Sequence, residues 1–130
     1  MINVLPEIIT KLKNAISDAT IIQDYAYLTK NKFPIITIRE LSNVTDITTI
    51  DSSGVYANNI SFEVNVFTKG NNKEQTAFEL RDKVDDIMVN FYKMSRSTSE
   101  QVDNYIDSNI YRWLLRYDCK IDNNLKIYRG

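Results

Sequence analysis

The sequence predicts an α+β domain: a mainly antiparallel sheet with two helices packed on one face. Three observations predict it. Large apolar and mostly polar side chains alternate from Tyr111 to Asp122, and a period of two over that length marks a long strand with one buried and one wet face. A second alternation sets Ile60, Phe62, Val64 and Val66 against Ser61, Glu63 and Asn65. Two other stretches, residues 5–16 and 77–91, carry apolar residues at helical spacing instead. The order that results is helix, two or three strands, helix, then one to three strands. That order fits an α+β layer arrangement.

Each element has its own local cause. Leu5, Ile8, Ile9, Leu12, Ala15 and Ile16 form an apolar stripe, with Lys11, Lys13, Asn14 and Asp18 off it. This predicts a first helix over about 4–18, and Pro6 suits its first turn, where a missing N–H costs nothing. Residues 20–32 include Tyr25, Tyr27 and Leu28 but no clear period, leaving room for a short strand only. Phe33–Leu41 is β-branched and reads as a strand with Pro34 tolerable at its start. Val44–Ile50, rich in Thr and Ile, is extended. Asp51-Ser52-Ser53-Gly54 is a turn cluster, and Tyr56–Thr68 is the returning strand. Together these predict a β-hairpin at about 44–58 with a polar, weakly anchored connection.

Lys69-Gly70-Asn71-Asn72 ends that strand and leads into a second helix, with Asn72 as its N-cap. The stripe Ala77, Leu80, Val84, Ile87, Met88 and Phe91 carries the helix to about residue 93. Glu79 with Lys83, and Arg81 with Asp85, sit four residues apart and support it. Residues 94–109 are polar around Val102, Tyr105 and Ile106, enough for one short strand. On the last long strand, Tyr111, Trp113, Leu115, Tyr117, Cys119 and Ile121 share one face. Arg112, Arg116, Asp118, Lys120 and Asp122 share the other, and Leu114 breaks the pattern. Asn123-Asn124 is a turn, after which residues 125–129 form a terminal strand or a tail within 123–130.

Composition narrows the function. The 130 residues fit a single domain, 1–130, and 43% hydrophobic residues suffice for one core. Gly54, Gly70 and Gly130 lie too far apart to build a phosphate-cradling loop. The chain contains no histidine, which removes the commonest general base, the commonest metal ligand and the Ser-His and Cys-His nucleophile pairs. The single Cys119 forms no intrachain disulfide, and its place on the apolar strand face reads as core rather than nucleophile. A lack of paired cysteines fits a reducing compartment. A net charge of -1 argues against a nucleic-acid binder. The first residues carry no basic signal-peptide region, and no apolar run nears the ~20 residues of a membrane span. A soluble protein made in the cytoplasm is therefore expected.

Candidate sites divide between functional and plain readings. Asp82 and Asp86 share a helix face and invite a divalent cation. A hard-cation site needs several oxygen ligands from a shaped loop, however, and no second acidic cluster faces them. No spacing picks out a pair of carboxylates across a cleft. Trp113, Tyr111 and Tyr117 could stack on bases, but the helices need an apolar sheet face to cover. Arg112 and Arg116 point away from that face, toward phosphate or toward acids on a neighbouring strand or subunit. No catalytic residue, cofactor or metal is assigned. The polar hairpin and the tail read as contacts between subunits, because long β-connections and unpaired strands offer backbone groups to other chains.

Three segments together carry a resemblance: Phe33–Glu40, Ile60–Thr68 running into the second helix, and Ile110–Asp122. The arrangement resembles the small tail-terminator, or tail-completion, proteins of tailed bacteriophages and prophages, over roughly residues 1–125. The resemblance implies an α+β subunit that forms a homo-oligomeric ring, usually a hexamer, at the head-proximal end of the tail tube. Such a ring stops tube growth and docks the neck, and in contractile tails it also contacts the sheath. It implies no active-site residues, and a location in a virion or tail-like particle. Candidate interface positions, chosen for exposure and polarity, are Asp46, Ile47, Ile50 and Tyr56 in the hairpin and Ile127, Tyr128 and Arg129 at the C-terminus. A head–tail connector or stopper and a minor capsid protein share this length and order. A small nucleic-acid-binding protein using Arg112 and Arg116 is the alternative of another class.

Overall fold

The computed structural model describes residues 2–23, 32–46, 54, 56–103 and 109–129. In chain order the elements are α1 (Leu5–Ala15), β1 (Thr20–Ile22), β2 (Ile35–Asp46), β3 (Ala57–Lys69) and α2 (Lys73–Asp85). A π-helical turn (Asp86–Phe91), β4 (Ser95–Val102), β5 (Ile110–Asp122) and β6 (Ile127–Arg129) follow. The fold is mixed α+β, as the sequence predicts. Its sheet runs β1-β2-β3-β5-β4, and β6 also pairs with β5. Every pair is antiparallel except β1 with β2, which is parallel. The short period-free stretch thus supplies an edge strand that alternation did not forecast.

One sheet face meets both helices. Ile36 and Ile38 of β2, Ile60, Phe62, Val64 and Val66 of β3, and Leu115, Tyr117, Cys119 and Ile121 of β5 form its centre. Ile8, Ile9 and Leu12 of α1 and Ala77, Leu80 and Val84 of α2 cover it. The register explains the alternation: Val66, Val64, Phe62 and Ile60 lie opposite Trp113, Leu115, Tyr117 and Cys119. Apolar rows therefore meet across the long central pair.

Several local expectations are corrected. α1 stops at Ala15, which is exposed, rather than near residue 18. Ile16 leaves helical geometry because the chain turns at once to start β1, with the Thr20 N–H donating to the Pro34 carbonyl at 2.9 Å. The two extended pieces before the hairpin are one strand, β2, whose register shifts between Glu40 and Ser42. Leu41 is the extra residue there, and such a bulge keeps long strands paired while bending them. Asn72 stands at the helix N-cap position but its side chain makes no cap bond. The pairs Glu79–Lys83 and Arg81–Asp85 do not form. Arg81 bonds Asp82, Lys83 lies 3.6 Å from Asp18, and Asp85 bonds Arg96. Ile47, Ile50, Ser52, Tyr25, Tyr105 and Ile106 lie outside the described residues.

Phe91 is also displaced from its expected place. It is 58% exposed, although it continues the α2 stripe in sequence. The last turn is π-helical, with the Tyr92 N–H donating to Ile87. Wider turns change the phase of the stripe, so Tyr92 goes inward and Phe91 goes out. The ring is not bare: the Lys11 ammonium lies 4.1 Å from its centroid, and Tyr92 meets it edge-on at 4.9 Å.

Candidate assembly interface

The sheet face away from the helices is built around Glu63. Antiparallel register sets Arg39, Glu63 and Arg116 side by side across β2, β3 and β5. The Arg39 Nε donates to Glu63 at 2.6 Å, and Arg116 lies 3.6 Å from the other carboxylate oxygen. Glu63 is 3% exposed while both arginines are about half exposed. One row further, Arg112 donates to the buried Asn65 and its guanidinium lies 5.7 Å from the Phe67 ring. Ser61 donates to Asp118. Glu63 and Asn65, which the alternation placed in water, are therefore buried among their cross-strand partners. Ile35, Phe67 and Ile110 form a small apolar cluster on this same side, and Leu114, the exception to the alternation, is buried there too. Both sheet faces thus bury apolar side chains.

The arginines singled out for phosphate are held within the sheet, by Glu63 and Asn65. The carboxylates singled out for a cation are also engaged: Asp82 accepts from Arg81, and Asp86 from Asn90. Among the described residues no group of three potential metal ligands gathers. The hollow at the start of α2, about 450 Å³, is lined by Asn71, Asn72, Lys73, Glu74, Gln75 and Phe78 and is open to solvent.

Trp113, Tyr111 and Tyr117 are core residues in differing degree. Tyr117 is fully buried, and Trp113 and Tyr111 are half-buried, both meeting Phe78 of α2 edge-on. Burial raises the Tyr111 phenol above its ordinary value; Glu74 pushes it the same way and Arg81 the other. The Tyr117 hydroxyl donates to Asp85 at 2.9 Å, and Arg96 of β4 holds the other Asp85 oxygen at 2.8 Å. This chain of contacts ties α2 to two strands. Burial, then the Asp85 carboxylate, raise the Tyr117 phenol far above its ordinary value. Tyr117→Phe is expected to cost about 1.5 kcal/mol, the worth of a hydrogen bond to a charged group. Urea unfolding checks this, and an unchanged midpoint would remove the clamp from the account.

Cys119 is 2% exposed, and burial, with Asp118 nearby, pushes its thiol up to about 12. It is a core residue with no free thiolate at neutral pH, as its strand position predicts.

The interface candidates that are described converge on one end of the sheet. Asp46 closes β2 and accepts from Lys120 of β5 at 2.8 Å. Tyr56 packs against the core, and its backbone exchanges bonds with Asn123: the Tyr56 N–H donates to the Asn123 side chain, and the Asn123 N–H donates to the Tyr56 carbonyl. Asn123 also donates to the Gly54 carbonyl, where φ is +85°, a value suited to glycine. Ile127 is half-buried against the core, and Ile127–Arg129 forms β6 rather than a loose tail. The backbones of Tyr128 and Arg129 lie opposite Lys120 and Cys119. Strand periodicity could not have joined these positions, because three residues of β6 are too few to show a period. The side-chain bonds that tie the hairpin base to β5 and the turn after it span 67 to 74 residues of sequence.

Sequence reading missed the exposed apolar residues of β2, Leu41 at 40% and Val44 at 61%. The signal was present but weak: two apolar residues in a strand with few neighbours of the same kind.

No known family model matches the sequence, and no curated protein is significantly similar to it. Among the described residues no helix is long and apolar enough to cross a membrane.

Proposed function

We propose that this chain is a structural assembly subunit: a tail terminator that forms a homo-oligomeric ring, a hexamer by its family resemblance, on the head-proximal end of a phage or phage-like tail tube. It catalyses no reaction in this reading. Its place is a virion or tail-like particle, and its partners are copies of itself, the tube protein, and the neck and sheath proteins where present.

One observation carries the reading. Three distant chain segments, the hairpin base at Asp46 and Tyr56, the turn at Asn123, and β6, are locked together at one end of the sheet. Ordinary loops need no such fastening. A surface that must dock a rigid partner does, because ordering it beforehand lowers the entropy cost of binding. The sequence resemblance supports the same reading independently. The arginine contacts on the far face favour it over nucleic-acid binding, since Arg112 and Arg116 already answer acceptors of their own strands.

The test replaces residues 47–55 by Asn-Gly, which leaves a short connection between Asp46 and Tyr56. The variant is expected to keep its circular dichroism spectrum and lose at least tenfold in capping of purified tail tubes. A folded variant that caps tubes as well as the parent would contradict the docking end. Capping of isolated connectors rather than tubes would shift the assignment to a stopper.

A further inference from the structure

Among the described residues, two that are not glycine have positive φ: Lys93 at +60° and Leu125 at +65°. Lys93 follows the last helical turn, where left-handed backbone commonly ends a helix. Leu125 lies instead in the connection from β5 to β6, at a left-handed position that short hairpin loops usually give to glycine or asparagine. A bulky side chain is strained there, because its Cβ crowds the following carbonyl.

The register forces this conformation. β5 and β6 pair Ile121 with Ile127, and the Asp122 N–H donates to the Lys126 carbonyl at 3.0 Å. The Leu125 N–H returns to the Asp122 carbonyl at 2.9 Å. One Asp122 carboxylate oxygen accepts from the Asn124 and Lys126 N–H groups, each at 2.9 Å. Asp122 is 7% exposed, so these bonds are sheltered and the turn is over-determined. A strained residue persists only in such surroundings. Asparagine tolerates this backbone, and Asn124 stands one position away. The strained position nevertheless carries leucine, and leaves it 51% exposed.

Folding alone does not account for that residue. An exposed leucine adds little to the core, and its backbone costs stability. Its place supplies a use. Ala57 with Asp122 is the last pair joining β3 to β5, and Leu125 lies past it. The same turn contains Asn123, which holds the hairpin base at Gly54 and Tyr56. Asn123, Asn124 and Lys126 are exposed around the leucine. One apolar side chain on an ordered backbone with polar neighbours has the form of an interface anchor. Copies in a ring whose strands follow the tube axis meet through sheet edges and faces. That leaves the strand ends to the partner stacked on the ring.

We propose that Leu125 is the apolar anchor of the docking end, and that it enters an apolar pocket on the last ring of tube subunits, rimmed by groups that hydrogen-bond Asn123 and Asn124. This deepens the terminator reading above and rests on it.

Two substitutions separate the anchor from the turn. Leu125→Asn relieves the backbone and removes the apolar group, whereas Leu125→Met keeps both the group and the strain. The first is expected to hold or raise the urea midpoint while capping of purified tail tubes falls at least tenfold. The second is expected to cap within threefold of the parent. Capping by Leu125→Asn equal to the parent's would overturn the anchor, and the docking end would still stand or fall on the separate replacement of residues 47–55. A lower urea midpoint for Leu125→Asn would make the leucine a structural residue. Equal losses of capping from both substitutions would trace the effect to the turn. A loss of self-association by light scattering, with capping unchanged, would assign the leucine to a neighbouring copy. Each of these three results overturns the anchor as well.

Discussion

Replacing Phe62 by alanine is expected to destabilise the protein by about 3–5 kcal/mol. Phe62 is fully buried at the centre of β3, opposite Tyr117 of β5 and beneath the helices. Both neighbouring strands are long and paired, so the sheet cannot close over the space left behind. Against a typical domain stability of about 5–15 kcal/mol, this is a large share. Urea unfolding followed by fluorescence of Trp113, the only tryptophan, reads the loss directly. Phe91→Ala is the control. Its ring is mostly exposed and holds only the Lys11 and Tyr92 contacts, so a loss under about 1.5 kcal/mol is expected. Equal losses from the two variants would mean that the π-helical turn does not rotate Phe91 out of the core.

Alkaline pH is expected to unfold the protein steeply. Burial, helped by Asp118, raises Cys119 to about 12 from an ordinary value of 9.0. Burial, then Glu7, raise Tyr92 to about 12 from 10.0, and Tyr117 is raised further. All three groups are neutral in the folded state and ionise more readily once unfolded. Their contribution is therefore fully present below the unfolded values and is lost as pH climbs toward the folded ones. In that window each group removes about 1.4 kcal/mol per pH unit. The loss begins near pH 9 with Cys119 alone and steepens above pH 10 when both tyrosines join. With no histidine in the chain, stability is expected to stay flat between about pH 6 and 8. Urea midpoints at pH 7, 9, 10 and 11 measure the curve. A midpoint unchanged to pH 11, or rapid attack on Cys119 by a thiol reagent at pH 7, would contradict the burial of these groups.

The central layer of the fold was legible because strands and helices that bury one face must write their period into the sequence. β3, β5, α1 and most of α2 did so. What was not legible depended on partners distant in the chain. Glu63 looks like a wet strand residue until Arg39 and Arg116 are brought to either side of it. Phe91 looks like core until the helix widens. β1, of three residues, is too short to show alternation. The interface candidates were chosen by polarity, which says what is outside but not what is joined. Asp46 proves to be fastened to Lys120, and Ile127 to sit against the core. That β1 and β4 are the outermost strands among the described residues could not be found this way, since whether a strand is central or at an edge is a property of the order β1-β2-β3-β5-β4 and not of any one segment.

The claim at the centre of this account is that the chain acts by closing on copies of itself. Sedimentation velocity over a range of protein concentrations, with and without purified tail tubes, tests it most directly. The expected result is a monomer giving way to a single closed oligomer, sharpened by tube ends, with no larger series above it. A monomer at every concentration that does not co-sediment with tubes would contradict the claim.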